Sequence, residues 1–223
     1  MATQLPQLHP RYALEQLLGA LADTPVVAVN GARQVGKSTL VTELLTRPGD
    51  AQLVTLDDQT QRAAALADPR TFVRRDGLLI IDEVQRVPDL LPAIKAEVDR
   101  DRRPGRFLLT GSARLPSPAE MSASLAGRVE IIDLWPLSQG ELGGRRERFV
   151  DALFSWDLDL RRASDASRSD YLALACAGGF PEPQLRSGRR RGAWFSNYAT
   201  TVLQRMVTDV ADVERITAVP RLL

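Results

Sequence analysis

The sequence predicts a three-layer α/β sandwich on a five-stranded parallel sheet, followed by a mainly helical C-terminal region. Three observations predict it. Apolar, strand-like runs alternate with helical runs from about residue 25 to residue 134, the pattern of a parallel sheet with helices on both faces. The first strand runs directly into a glycine-bearing turn and then a helix. After Trp135-Pro136 the alternation stops, and the chain becomes more polar and helical.

Residues 11–22 place Tyr12, Leu14, Leu17, Leu18 and Leu21 at helical spacing. Residues 25–30 are the first strand and 38–45 the helix behind the turn. Residues 52–56 form a second strand, ending in Asp57-Asp58. An alanine-rich helix over 61–68 is stopped by Pro69. Leu78-Leu79-Ile80-Ile81 is a third strand, with the continuous apolar character of a strand buried on both faces. Residues 89–100 set Leu90, Leu91, Ile94 and Val98 on one helix face, with Asp89 as N-cap. Residues 106–110 and 129–134 complete the sheet. Farther on, 163–170 reads as a loop and 171–177 as a short buried helix closed by Gly178-Gly179. A longer helix over 194–213 carries an apolar stripe of Phe195, Tyr198, Val202, Met206, Val210 and Val213. Two domains are expected, 1–137 and 138–223.

The bulk numbers narrow the function classes. Of 223 residues, 44% are apolar, enough for a packed core. Net charge is +1, so there is no global pull toward nucleic acid or anionic membranes. Cys176, the only cysteine, rules out an internal disulfide and reads as a small core residue. A single histidine, His9, argues against histidine metal sites and histidine-based triads. No secretory signal or membrane span is read, so a cytoplasmic location is expected.

The turn after the first strand is Gly31-Ala32-Arg33-Gln34-Val35-Gly36-Lys37-Ser38-Thr39, which fits the phosphate-loop pattern G-x-x-x-x-G-K-[ST] without mismatch. Glycines let successive amides turn inward toward phosphate oxygens, and the helix start adds partial positive charge. Lys37 is expected at the β/γ-phosphates and the Ser38 hydroxyl on Mg2+. The third strand ends in Asp82-Glu83. Acids there stand at the carboxyl edge of the sheet, where such sheets bind ligands. Asp82 is expected to hold Mg2+ through water, and Glu83 to orient or deprotonate the attacking water. Thr110 and Ser112 are candidates to touch the γ-phosphate or that water, with Ser112 slightly preferred.

With these pieces in order, the chain resembles the AAA+-type P-loop ATPases that pair an N-terminal ATPase domain with an uncharacterised C-terminal domain, the AAA_14 / DUF4143 proteins. Further matching segments are Ile80 to Gln85, Leu109-Thr110-Gly111-Ser112, Leu125-Ala126-Gly127-Arg128, Trp135-Pro136-Leu137-Ser138 with Glu141, and Gly178-Gly179-Phe180-Pro181-Glu182. The resemblance implies a nucleotide-binding core of the AAA+ kind, ATP and Mg2+ as ligands, and ring or dimer assembly as an option. Family members usually continue into a second domain, so the C-terminal domain is expected to be truncated here. They also tend to carry Arg-Asp where this chain has Arg205-Met206, and no role is transferred to that site.

ATP hydrolysis spreads negative charge over the γ-phosphoryl oxygens, which an arginine can stabilise in cis or from a neighbour. Arg128 is the first candidate, taken to lie near the nucleotide edge; Arg114 and Arg33 follow. The basic cluster at Arg186 and Arg189-Arg190-Arg191 reads as a loop that could meet nucleic acid phosphates. The leading function is a Mg-dependent ATPase coupling hydrolysis to a conformational change of the helical region. The alternative is a nucleotide-dependent binding switch for a protein or DNA partner with little turnover. A kinase is weaker, for want of a basic lid. The guanine-reading N-K-x-D motif is absent, which favours ATP over GTP.

Overall fold

A computed structural model describes residues 9–46, 49–111, 121, 124–156 and 165–210, with side chains described only up to residue 204 in the last segment. Helix α1 (Ala13–Asp23) leads into β1 (Val26–Asn30), and α2 (Lys37–Leu45) into β2 (Ala51–Thr55). Helices α3 (Gln59–Ala67) and α4 (Pro69–Phe72) precede β3 (Leu78–Asp82). Helix α5 (Leu90–Arg100), β4 (Phe107–Thr110) and β5 (Val129–Asp133) follow. The five strands form one parallel sheet in the order β2-β3-β4-β1-β5. The expected α/β sandwich with a five-stranded parallel sheet is therefore the observed one.

Pleating sorts the strand side chains onto two faces. Val26 and Ala28 of β1 join Leu79, Ile81, Phe107 and Leu109 in a cluster with α3, α4 and α5 residues such as Ala65, Phe72, Leu90 and Ile94. The alternate residues Val27, Val29, Ile80 and Leu108 pack against Leu14 and Leu17 of α1 and Leu40, Val41 and Leu44 of α2. Central β1 and β4 are buried on both faces, which is why they read as unbroken apolar runs. Each fully buried Leu or Ile contributes about 1.5–3 kcal/mol of apolar transfer. With the core on both faces, all strand carboxyl ends open along one edge.

Several local expectations are corrected. Pro69 does not simply stop a helix. Asp68 accepts from the Thr71 amide, and Pro69 opens α4, a position where its missing N–H costs nothing. Asp89 makes no side-chain cap bond to α5. Asp58 does make such a bond, accepting from Gln61 N–H at the start of α3.

The chain divides into two compact units, 1–147 and 148–223. The first runs past residue 137 because the short helix Gln139–Leu142 is bound into it by buried Glu141. The second unit holds helices Phe149–Phe154, Arg168–Ala177, Pro181–Gln184 and Gly188–Val210. Helix Arg168–Ala177 starts earlier than expected, on a Ser167–Asp170 capping box. It is not buried: Tyr171, Leu172 and Leu174 are exposed, and so is Cys176, which is no core residue. The last helix begins at Gly188, so Arg189-Arg190-Arg191 form its first turn and no loop. Phe180, Trp194, Phe195 and Tyr198 cluster, with Trp194 and Tyr198 stacked at 5.0 Å between ring centroids.

Candidate functional site

The phosphate-loop segment leaves β1 after Asn30. Gly31 stands where no side chain fits, since a Cβ would lie 2.6 Å from the Leu134 carbonyl oxygen beyond β5. Two loop residues take left-handed backbone: Gln34 (φ 62°) and Gly36 (φ 105°), the N-cap of α2. Gly36 accepts this freely; for Gln34 it costs about 1–2 kcal/mol. Such strain persists only where surrounding structure enforces it. Between them the Val35 side chain is fully buried in the α1/α2 core cluster and anchors the turn. Ala32 and Arg33 are half-buried, whereas Ser38 and Thr39 are exposed at the start of α2.

Lys37 opens α2 and is only 7% exposed. Its Nζ donates to the carbonyls of Gly31 (2.8 Å) and Ala32 (2.9 Å), so the side chain folds back over its own loop. Burial lowers its pKa below the usual lysine value. The carboxylates of Glu83 and Asp82 work against that lowering, and Arg33 adds to it. Lys37, Asp82, Glu83 and Arg33 thus share one electrostatic neighbourhood.

The acids reach it across an intervening strand. β4 lies between β1 and β3, so the acid pair is two strands from the loop and not on the adjacent one. Strand spacing of about 4.8 Å makes that roughly 10 Å of sheet, within the combined reach of a lysine and a carboxylate. Thr110 ends β4 in register with Val29 of β1, is fully buried, and donates its hydroxyl to the Asp82 carboxylate. Glu83 takes left-handed backbone (φ 58°) just after β3, and Gln85 donates its side-chain amide to the Glu83 carboxylate. At the end of β2, Asp57 pairs with Arg86.

The arginine expectations fare differently. Arg128 precedes β5, and its carbonyl accepts from Val26 N–H at the first residue of β1. Entry to a parallel strand is the amino edge, opposite the phosphate loop. The expectation that Arg128 lies near the nucleotide edge is therefore corrected. Its guanidinium instead binds Asp99 (2.6 Å) and the Ala126 carbonyl (2.8 Å). Ser112 and Arg114 lie outside the described residues.

Sequence reasoning assigned no role to a buried cluster behind the loop. Arg11 donates through Nη1 to the Val35 carbonyl (2.8 Å), through Nη2 to the Trp135 carbonyl (2.6 Å) and through Nε to Glu141 (3.2 Å). Ser138 and Glu141 form a capping box, and the S-x-x-E spacing could have revealed that half of it. Nothing in the sequence marks Arg11.

Among the described residues, no group of three or more His, Cys, Asp and Glu could hold a metal. The oxygen donors at the loop, the Ser38 hydroxyl and the Asp82 carboxylate, are of the hard type that suits magnesium. No helix of the described residues is long and apolar enough to cross a membrane.

A family model described as "AAA domain" matches residues 23–143, more than half of the chain. Two curated relatives, Uncharacterized protein Mb2031c of Mycobacterium bovis and Uncharacterized protein Rv2008c of Mycobacterium tuberculosis, are each 36% identical over 201 residues. That alignment covers 89% of this chain and 40% of each relative, so the chain spans about two fifths of their length. Among solved structures, the Walker-type ATPase PABY2304 of Pyrococcus abyssi matches with a TM-score of 0.49 and 15% identity, covering 96% of this chain and 77% of that one. AMPPCP-bound DnaA of Aquifex aeolicus matches with a TM-score of 0.46 and 13% identity, covering 94% and 74%.

Proposed function

Because the chain belongs to the AAA-domain family, we propose that its first unit binds ATP with Mg2+ and hydrolyses it, coupling turnover to a conformational change. The observation that carries this reading is Lys37: a nearly buried ammonium folded over the loop and felt by the Asp82 and Glu83 carboxylates. A buried cation held by two loop carbonyls and felt by two acids suits a polyanion accompanied by a metal.

The loop amides and Lys37 hold the phosphates. The Ser38 hydroxyl would hold the metal directly and Asp82 through water, and Thr110 fixes the Asp82 carboxylate. Magnesium, when bound, neutralises charge on the phosphoryl oxygens. Glu83 orients a water and accepts its proton as that water attacks the γ-phosphorus in line; the bond from that phosphorus to the β,γ-bridging oxygen breaks, and ADP leaves with inorganic phosphate as the second product. Catalysis rests on positioning and charge stabilisation, without a covalent intermediate. Arg33, half-buried in the loop, is a candidate cis cation for the phosphates, and an arginine from a neighbouring chain in a homo-oligomer is a further source.

The test is nucleotide binding and turnover on the purified chain. Lys37→Ala should lower ATP affinity about a hundredfold or more, since it removes a charge-assisted contact from a desolvated site. Unchanged ATP binding by that variant would overturn the site. Glu83→Gln should keep ATP affinity and lose turnover. Wild-type protein that binds ATP without turnover would leave a nucleotide-dependent switch for a protein or DNA partner as the function.

A further inference from the structure

We infer that Arg11 is the positioning residue that sets the Gly36 amide for phosphate, with Glu141 holding Arg11 in place. The inference rests on the nucleotide-binding reading of the same loop.

Two loop carbonyls, Gly31 and Ala32, turn toward Lys37 Nζ, so phosphate binding depends on the remaining peptides presenting their N–H groups to the ligand. The peptide unit joining Val35 to Gly36 is planar and trans, so its carbonyl and N–H point in opposite directions. Arg11 Nη1 holds the Val35 carbonyl at 2.8 Å. The Gly36 N–H is thereby turned away from Arg11. The need for such a hold is local, because left-handed backbone on both sides of Val35 has no intrinsic reason to keep one orientation.

Arg11 cannot drift. Its guanidinium is a rigid fork with three committed nitrogens: one to the loop, one to Trp135 and one to Glu141. Rotating to release Val35 would break the other two bonds inside a buried site. Glu141 is equally committed. Oε1 accepts from Arg11 and from Tyr12 N–H (2.8 Å), and Oε2 from Ser138 N–H (2.9 Å). Glu141 balances the arginine charge, so Arg11 contributes orientation and little net attraction for phosphate. The side chains of the pair are 6% and 7% exposed.

The test uses the full chain and three measurements: thermal melting, hydrogen exchange of the 33–37 amides without nucleotide, and affinity for Mg-ADP. Removing one partner would strand a buried charge, so the main variant replaces both, Arg11→Met with Glu141→Leu, a swap of buried pair for apolar pair that is often tolerated. It should stay folded, exchange its loop amides about tenfold faster, and bind ADP roughly tenfold or more weakly, the scale of one misaligned bond to a charged group. Wild-type exchange and affinity in a folded double variant would reduce the pair to a structural role and overturn the inference. Should the double variant unfold, Arg11→Lys decides. It keeps the charge beside Glu141 but loses the fork. A weaker loop in that folded protein supports the inference, and an unchanged one overturns it. If the wild-type chain binds neither ATP nor ADP, the nucleotide reading fails, while the exchange measurement still decides the role of Arg11.

Discussion

Two buried arginine–glutamate clusters sit at opposite edges of the same sheet, and only one touches the phosphate loop. At the carboxyl edge is the Arg11–Glu141 pair. At the amino edge Arg106, just before β4, faces Glu97 of α5, with side chains 4% and 5% exposed. Glu97 also receives Arg74 (3.0 Å) and Arg100 (2.6 Å). The chemistry of the pairs is alike, but the carbonyls they capture differ. Arg106 donates to Glu97 and Asp101 carbonyls, the open end of α5, and its guanidinium lies 5.2 Å from the Phe107 ring. That is a helix cap stitched to a strand. Arg11 captures a carbonyl in a turn whose opposite face carries the amides. A buried ion pair is therefore not a functional mark by itself; the peptide at its far end decides.

The comparison can be broken or sharpened by four measurements. The largest effect is expected from Glu97→Ala, which leaves buried Arg106 with the half-buried Asp101 carboxylate, at 3.6 Å, as its counter-charge. Stability should fall by about 3 kcal/mol, seen as a melting temperature lowered by roughly 6–12 °C. ADP affinity of the remaining folded protein should not change. A loss of affinity would erase the distinction between the two edges. Next, Gly31→Ala forces a Cβ against the Leu134 carbonyl. It should cost about 1–3 kcal/mol and weaken nucleotide binding, whereas Gly19→Ala, with open space around it in α1, should do neither.

The third measurement is pH. Burial sets the Lys37 pKa below the usual lysine value of 10.5. Below the lowered value the ammonium is charged and grips phosphate; as pH rises through it the charge is lost. ADP affinity should therefore decline with rising alkalinity before pH 10.5 is reached, and the Lys37→Ala variant should lack that decline. An identical decline in both proteins would remove Lys37 as its source. The smallest effect is expected at Arg128→Ala. The partly exposed Arg128–Asp99 pair contributes about 1 kcal/mol or less, and ATP turnover should stay within about twofold. A hundredfold loss would instead make Arg128 a finger serving a neighbouring chain.

What could be read ahead of the structure followed local rules. The loop, its strand and helix, and the Asp82-Glu83 terminus are contiguous stretches whose spacing is tied to backbone geometry. The sequence also carried the buried central strands, because burial on both faces leaves an uninterrupted apolar run. It misled where an element's surroundings mattered. Tyr171, Leu172 and Cys176 looked like core, yet apolar residues on one short helix do not specify what covers them. Arg128 was misplaced against the carboxyl-edge rule that placed Asp82, because a residue entering a parallel strand belongs to the amino edge.

By itself, then, the chain's sequence determined the period of its elements and the chemistry at the tip of β1, since both depend on neighbours a few positions away. Tertiary structure alone decided that Thr110, at the end of β4, meets the Asp82 carboxylate. It alone set Arg11 behind Val35, and Glu141 beside Arg11 from 130 positions farther along the chain. Such meetings are settled by packing two faces of a sheet at once, and packing has no counterpart in the local periodicity of a sequence.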